Sequence, residues 1–241
     1  MNHLYVVGTP IGNLEDVTLR ALRVLKEVEV ILCEDTRVTT RLLDRYEIQA
    51  RQLATYNEHE SGLTAEKIIG WLEEGKSVAL VSDAGTPGIS DPGSLLVQKV
   101  REALPEVKIE SVPGPSALTT ALSIAGVPLH DFVFLGFLPH KKGRETLFKE
   151  IVASERAMIF YESPHRILKT LKSLEKFLKG FALPPDGKAK PFRPQKIVIA
   201  RELTKIHEQV LSGTASELLK YFATNPDKVR GEFVVIVTPV S

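Results

Sequence analysis

Val78-Ala79-Leu80-Val81 runs without a break into Ser82-Asp83-Ala84-Gly85-Thr86-Pro87-Gly88-Ile89-Ser90-Asp91-Pro92-Gly93. Four apolar, strand-forming residues thus feed a loop dense in glycine, proline, aspartate and hydroxyl groups. Glycine lets the backbone come close to a ligand, and proline stiffens a loop while removing an N–H donor. A loop of this kind at the carboxyl end of a strand is where open α/β sheets hold ligands. The alternative is an ordinary surface turn.

Outward from that loop, short β-branched runs alternate with helical patterns, the mark of a parallel sheet covered by helices. Strands are expected at Leu4–Val7, Val28–Cys33, Arg51–Ala54, Val78–Val81 and Lys108–Ser111. Helices are expected at Thr18–Lys26, Thr36–Tyr46, Leu63–Glu74 (with Gly75 ending it) and Ser94–Ala103. Val112-Pro113-Gly114-Pro115-Ser116 breaks the rhythm, and a domain boundary is placed there, giving residues 1–113 and 114–241. The second part reads as a small-residue helix (Ala117–Ala125), then strands at Phe132–Phe137, Ala157–Tyr161, Ile197–Glu202, His207–Leu211 and Phe233–Thr238. Helices at Gly143–Ser154, Arg166–Phe177 and Thr214–Tyr221 lie between them, so the sheet is expected to be mixed. Residues 178–196, rich in proline and lysine, read as a long solvated loop, with an RNA-contacting arm as the alternative. The fold class is α/β, with two α/β domains.

Composition narrows the function classes. The 241 residues carry a formal net charge of +1, which neither requires nor excludes nucleic acid, since a basic face can hide in a neutral total. The single cysteine, Cys33, rules out a disulfide framework and a cysteine-based zinc site. No apolar run is long enough to cross a bilayer, and the chain opens directly on a strand, so a cytoplasmic protein is expected.

The motifs sit where strands end. Gly8-Thr9-Pro10-Ile11-Gly12-Asn13-Leu14 follows the first strand, but its spacing is not the dinucleotide fingerprint, and Pro10 lacks a donor that a pyrophosphate cradle needs. A ligand-lining turn is expected instead. Glu34-Asp35-Thr36-Arg37 follows the second strand. Two carboxylates and an arginine there suit proton transfer or substrate positioning. Asp35 as a cap of the next helix, with Arg37 paired to a carboxylate, fits equally well. Glu162-Ser163-Pro164-His165-Arg166 and Arg201-Glu202-Leu203-Thr204-Lys205 end two more strands. No zincin, EF-hand, P-loop or nucleophile-elbow spacing occurs, so metal and nucleophilic-serine chemistry are not expected.

In order along residues 4–238, these motifs, with Pro113-Gly114-Pro115-Ser116-Ala117, Gly136-Phe137-Leu138-Pro139 and Gly231-Glu232-Phe233, resemble the ribosomal RNA small subunit methyltransferase I family of the tetrapyrrole methylase superfamily. The resemblance implies a class III methyltransferase with a cofactor cleft between its two domains. It also implies a homodimer that uses S-adenosylmethionine to 2′-O-methylate a cytidine at the decoding site of 16S rRNA. By the same analogy the cofactor-lining positions are Pro10, Asp83, Ala84, Gly85, Thr86, Ile89, Ser116, Ala117 and Tyr161. Candidates for the chemistry are Glu34 or Asp35 as base or orienter and Arg37, Arg166 or Arg201 as electrostatic partners. The expected RNA contacts are Arg37, Lys141, Lys142, Arg144, Arg166 and Arg201, engaging rRNA presented by the small subunit. Two other readings stand beside this one: a tetrapyrrole C-methyltransferase, and a non-catalytic RNA-binding assembly factor. The sequence stops short of the C-terminal extension that many members carry, and residues 178–196 read as an insertion.

Overall fold

A computed structural model describes residues 2–57, 64–181 and 196–239, so most of the expected 178–196 loop lies outside the described residues. The chain divides into two compact units, Met1–Thr119 and Thr120–Ser241.

The first unit holds β1 (His3–Val7), α1 (Leu19–Glu27), β2 (Val30–Cys33), α2 (Thr36–Arg45), β3 (Leu53–Thr55), α3 (Ala65–Glu73), β4 (Val78–Val81), α4 (Ser94–Ala103) and β5 (Lys108–Val112). Its strands are all parallel, in the order β3-β2-β4-β1-β5. Side chains alternate faces along each strand. Val30, Leu32, Val78 and Leu80 therefore pack under Ile68, Trp71 and Leu72 of α3 and Leu96 and Val100 of α4. Ile31, Cys33, Ala79 and Val81 pack under Ala21, Val24 and Leu25 of α1 and Leu42 and Leu43 of α2. A sheet buried on both faces needs strands apolar at every position, which is why β2 and β4 read as unbroken runs.

The helix ends follow local chemistry. The Thr18 hydroxyl caps α1 by accepting from Ala21 N–H at 3.1 Å. Gly75, at φ +85°, closes α3: its N–H donates to Leu72 O and that of Lys76 to Trp71 O, a left-handed stop that glycine takes without strain.

From β1 the chain passes β4 to reach β2 and then β3, carrying α1 and α2 on one face. It then reverses, through α3 to β4 and through α4 past β1 to β5, on the other face. The adjacent strands β1 and β4 therefore send their connections to opposite faces, which opens a crevice at their carboxyl ends.

The second unit follows α5 (Ala117–Ile124), a helix that spans the division. It contains β6 (Phe132–Phe137), α6 (Arg144–Ala153), β7 (Ala157–Glu162), α7 (Ile167–Phe181), β8 (Ile197–Arg201), β9 (Gln209–Gly213), α8 (Ala215–Thr224) and β10 (Phe233–Val237). The sheet order is β6-β7-β10-β8-β9, with β6 parallel to β7 and the other pairs antiparallel. Phe148 and Ile151 of α6, Leu171 and Leu174 of α7, and Leu218 and Phe222 of α8 share one core with Met158, Phe160, Ile199, Phe233 and Val235. Each fully buried phenylalanine there contributes about 2–3 kcal/mol of burial.

Two expected boundaries move. α7 continues to Phe181, so residues 178–181 are helical rather than loop. The strand expected at His207–Leu211 forms two residues later, because residues 202–208 are taken up by the turn between β8 and β9.

Candidate functional site

The carboxyl ends of β1, β4 and β5 are stitched together by backbone. Thr9 N–H donates to Gly85 O at 2.8 Å and Gly85 N–H returns to Thr9 O at 3.1 Å, joining the turns after β1 and β4. The Thr9 hydroxyl, buried, donates to Ser82 O at 3.1 Å. Gly8 N–H donates to Val112 O at 2.9 Å, tying the β1 turn to β5. The Thr86 hydroxyl reaches Pro115 O at 3.4 Å. These bonds bring together Pro10, Ala84, Gly85, Thr86, Ser116 and Ala117, six of the positions expected to line the cofactor.

The glycines here do different work from what the sequence suggests. A Cβ on Gly8 would stand 2.8 Å from the Gly114 backbone, and one on Gly114 would stand 2.8 Å from Gly8 O. The two turns thus pack backbone on backbone. At Gly85 a Cβ would meet only ordinary contacts, at 3.5 Å and beyond, but the residue sits at φ +85°, where side chains are strained. Conformation, not crowding within the protein, selects this glycine. Ile89, farther along the loop, is 47 % exposed.

β2 and β4 are neighbours, so their ends meet too, and they exchange hydrogen bonds. Asp83 N–H donates to Glu34 Oε1 at 3.2 Å, and Asp35 N–H donates to Asp83 Oδ1 at 3.0 Å. The environments of Glu34 and Asp35 differ sharply. Asp35 caps α2 through Arg37 N–H at 2.8 Å and chelates the Arg37 guanidinium, which Oδ2 meets at 2.5 Å. The Arg37 side-chain hydrogen bond, with its backbone N–H, pulls the Asp35 carboxyl down to about 2. Burial pushes Glu34 up, reinforced by the Asp83 charge and only partly offset by the Asp83 N–H. Among the described residues Glu34 Oε2 has no hydrogen-bond partner. Cys33, just before, is buried and its thiol is pushed up by burial.

The remaining candidates belong to the second unit. Tyr161 lies near the end of β7, its ring edge-on to Phe134 and Phe137 at 4.9 and 5.4 Å. Phe137 pairs with Tyr161 beyond a bulge in β6, where the register shifts between Phe134 and Phe137 and Gly136 stands at φ +61°.

Arg166 is held by Glu162, Nε to Oε1 at 3.0 Å, and donates to Leu138 O. Arg201 is 3 % exposed and donates to His207 O, Gln209 Oε1 and Arg230 O at 3.2–3.4 Å, while its Nε is buried without a partner. It pins the strained 202–208 turn, in which Glu202 and Thr204 both adopt positive φ. Arg144, expected as a surface contact, is buried; its guanidinium lies on Thr170 and Pro139 O because α6 begins by turning it inward. Sequence reasoning missed Thr170, which joins Arg144 to Glu162; a threonine inside a helical run gives no signal of its own.

The crevice is the feature that doubly wound α/β enzymes use for small ligands. Residues 3–219 match the family model of the Tetrapyrrole (Corrin/Porphyrin) Methylases. The chain is 42 % identical over 239 residues to the "Ribosomal RNA small subunit methyltransferase I" of Thermotoga maritima, covering 99 % of each chain. It is 44 % identical to the proteins of that name from Neisseria meningitidis serogroup B and Escherichia coli O157:H7, covering 98 and 97 % of this chain and 76 and 77 % of theirs. Among solved structures it is similar to the methyltransferase CobJ (TM-score 0.67, 21 % identity, 99 and 95 % covered). It is also similar to the uroporphyrin-III-C-methyltransferase of Thermus thermophilus (TM-score 0.64, 20 % identity, 99 and 95 % covered). At that identity these likenesses show the fold alone. The chain belongs to the tetrapyrrole methylases and, within them, to the ribosomal RNA small subunit methyltransferase I family. It is accordingly an enzyme of the S-adenosylmethionine-dependent methyltransferases.

The first-unit residues fit that cofactor chemically. Ala84, Gly85 and Ala117 are small, Thr86 and Ser116 carry hydroxyls, and no lysine or arginine stands among them to favour a phosphate over a sulfonium. Among the described residues no helix is long and apolar enough to cross a membrane.

Proposed function

We propose that this protein transfers a methyl group to the ribose 2′-hydroxyl of the cytidine at position 1402 of 16S rRNA. We propose too that it works as a homodimer on rRNA within the small subunit. The observation that carries the substrate is the end-to-end likeness, at 42 % identity, to a relative named for small-subunit rRNA methylation. The cofactor positions proposed are Pro10, Asp83, Ala84, Gly85, Thr86, Ile89, Ser116, Ala117 and Tyr161.

When bound, S-adenosylmethionine supplies an electrophilic methyl group on its sulfonium. The protein has to hold the hydroxyl in line with that methyl and accept its proton as the new C–O bond forms. Of the two adjacent carboxylates, Glu34 suits the proton. It is half-buried, its pKa is raised by burial, and Oε2 is open among the described residues. Asp35 is spent on Arg37 and on the cap of α2, and a carboxyl near 2 is a weak base. We therefore assign Glu34 as the base and Asp35 as an orienter that sets the Glu34-Asp83 turn.

The experiment is a methylation map. Small subunits from a strain lacking this gene, incubated with the protein and labelled cofactor, should gain one ribose methyl on the decoding-site cytidine. Label on a base atom, or on a tetrapyrrole in place of RNA, would refute the assignment.

A further inference from the structure

Between β6 and α6 the chain makes an irregular turn, Leu138-Pro139-His140-Lys141-Lys142-Gly143, whose carbonyls are held from below. Arg166 Nη2 donates to Leu138 O at 2.5 Å, and Arg144 Nη1 donates to Pro139 O at 3.0 Å. Arg166 Nη1 also stands 3.3 Å from His140 Nε2. Both guanidiniums rest on Glu162. Arg166 Nε meets Oε1 at 3.0 Å. The Thr170 hydroxyl donates to Oε2 at 2.5 Å and accepts from Arg144 Nη2 at 2.7 Å. The Glu162 side chain is 0 % exposed, and those of Arg144 and Arg166 are 10 and 16 % exposed.

A buried cluster of this kind is seldom the most stable filling for its volume, because desolvating the ions offsets their attraction. What it supplies is geometry: two rigid forks set the carbonyls of consecutive residues in a turn that has no ladder of its own. Its charge is also unbalanced, with two guanidiniums on one carboxylate. In the turn that the cluster holds, Lys141 and Lys142 are exposed, and Gly143 at φ +80° turns the chain into α6. The nearest acid in sequence, Glu145, leaves the local balance at four cations to two carboxylates.

Resting on the rRNA reading above, we propose that this turn is a phosphate-binding surface for the RNA backbone. Lys141 and Lys142 contact phosphates, and Arg144, Glu162 and Arg166 are positioning residues that hold the turn. Lysines on a preset turn lose less conformational freedom on binding than lysines on a free loop. Each phosphate contact releases counterions, so the surface has a salt signature that a merely structural role lacks.

The test compares full-length wild type with Lys141→Ala/Lys142→Ala and with Arg166→Lys, using unmethylated small subunits. Filter binding without cofactor across about 50–200 mM salt reads the surface, and steady-state kinetics separate KM from kcat. The double variant should bind about tenfold more weakly, with a log–log salt slope shallower by about 1.5, its loss falling in KM. Arg166→Lys keeps the charge but cannot bridge Glu162 and Leu138 O; it should raise KM and speed amide exchange across 138–142. An unchanged salt slope in the double variant overturns the proposal. So does an Arg166→Lys variant whose whole loss is in kcat with exchange across the turn unaltered. Wild-type protein that binds through the turn but places no methyl on rRNA refutes the substrate reading alone.

Discussion

Gly114→Ala should damage this protein more than Gly85→Ala, although Gly85 sits in the more conspicuous loop. The alanine Cβ at 114 would lie 2.8 Å from Gly8 O, 2.9 Å from its carbonyl carbon and 3.0 Å from its Cα. All three are backbone atoms, so no rotamer change relieves the overlap and the β1 and β5 turns must part. That movement strains Gly8 N–H to Val112 O at 2.9 Å and the paired Thr9–Gly85 bonds at 2.8 and 3.1 Å. Overpacking costs about 1–3 kcal/mol, and weakening these three hydrogen bonds adds about 2 kcal/mol together, for a total of about 3–5 kcal/mol. At Gly85 the new methyl meets nothing closer than 3.5 Å and pays only for φ +85°, about 1–2 kcal/mol. Urea unfolding should therefore show the Gly114→Ala midpoint lower by about 1–2 M, and Gly85→Ala by less than half of that. Calorimetry with S-adenosylmethionine should show at least a tenfold loss of affinity for Gly114→Ala. A Gly114→Ala protein within about 0.5 kcal/mol of wild type, or a reversed order of the two variants, would refute the backbone-contact reasoning.

Three further outcomes follow from the same geometry. Glu34→Gln should lower methyl transfer by about 10²–10⁴-fold and abolish an acidic limb whose inflection in wild type lies above 4.5. Because the raised pKa disfavours ionised Glu34 in the fold, stability falls as pH rises from 4.5 through it; Glu34→Gln should be the more stable protein at neutral pH and lose that advantage below about 4.5, as urea midpoints against pH will read. For Asp35 the sign is opposite: its depressed pKa contributes stability above 3.8 that is lost as pH falls through about 2, so wild type and Asp35→Asn should converge over that window in acid unfolding followed by circular dichroism. Glu162→Ala leaves two buried guanidiniums without their carboxylate and should cost about 3–5 kcal/mol by chemical denaturation, whereas Thr170→Ser, which keeps the bridging hydroxyl, should cost far less.

Periodicity and punctuation made the elements of this chain legible one at a time. Strands were legible at Val28–Cys33 and Val78–Val81, and the fold buries every residue of Val30–Cys33 and Val78–Val81. Gly75 after an amphipathic run marks the end of α3, because a left-handed stop is a local requirement met within a few residues. The sequence also placed the charged and small-residue motifs at strand ends, where a parallel sheet must gather them.

What depended on partners distant in the chain could be read only from the fold. Glu34 and Asp35 are adjacent carboxylates in sequence; burial beside the distant Asp83 turn raises Glu34, while Arg37, two residues along, lowers Asp35. Gly8 and Gly114 are required by each other, 106 positions apart, and nothing local to either shows it. Arg144 and Arg166 look like surface cations until Glu162 and Thr170 draw them inward. Helix, strand and turn follow from interactions within a few residues, so the sequence determines where they form. Protonation, burial of charge and backbone-to-backbone approach depend on what the folded chain places a few ångströms away, and only the tertiary structure decides that.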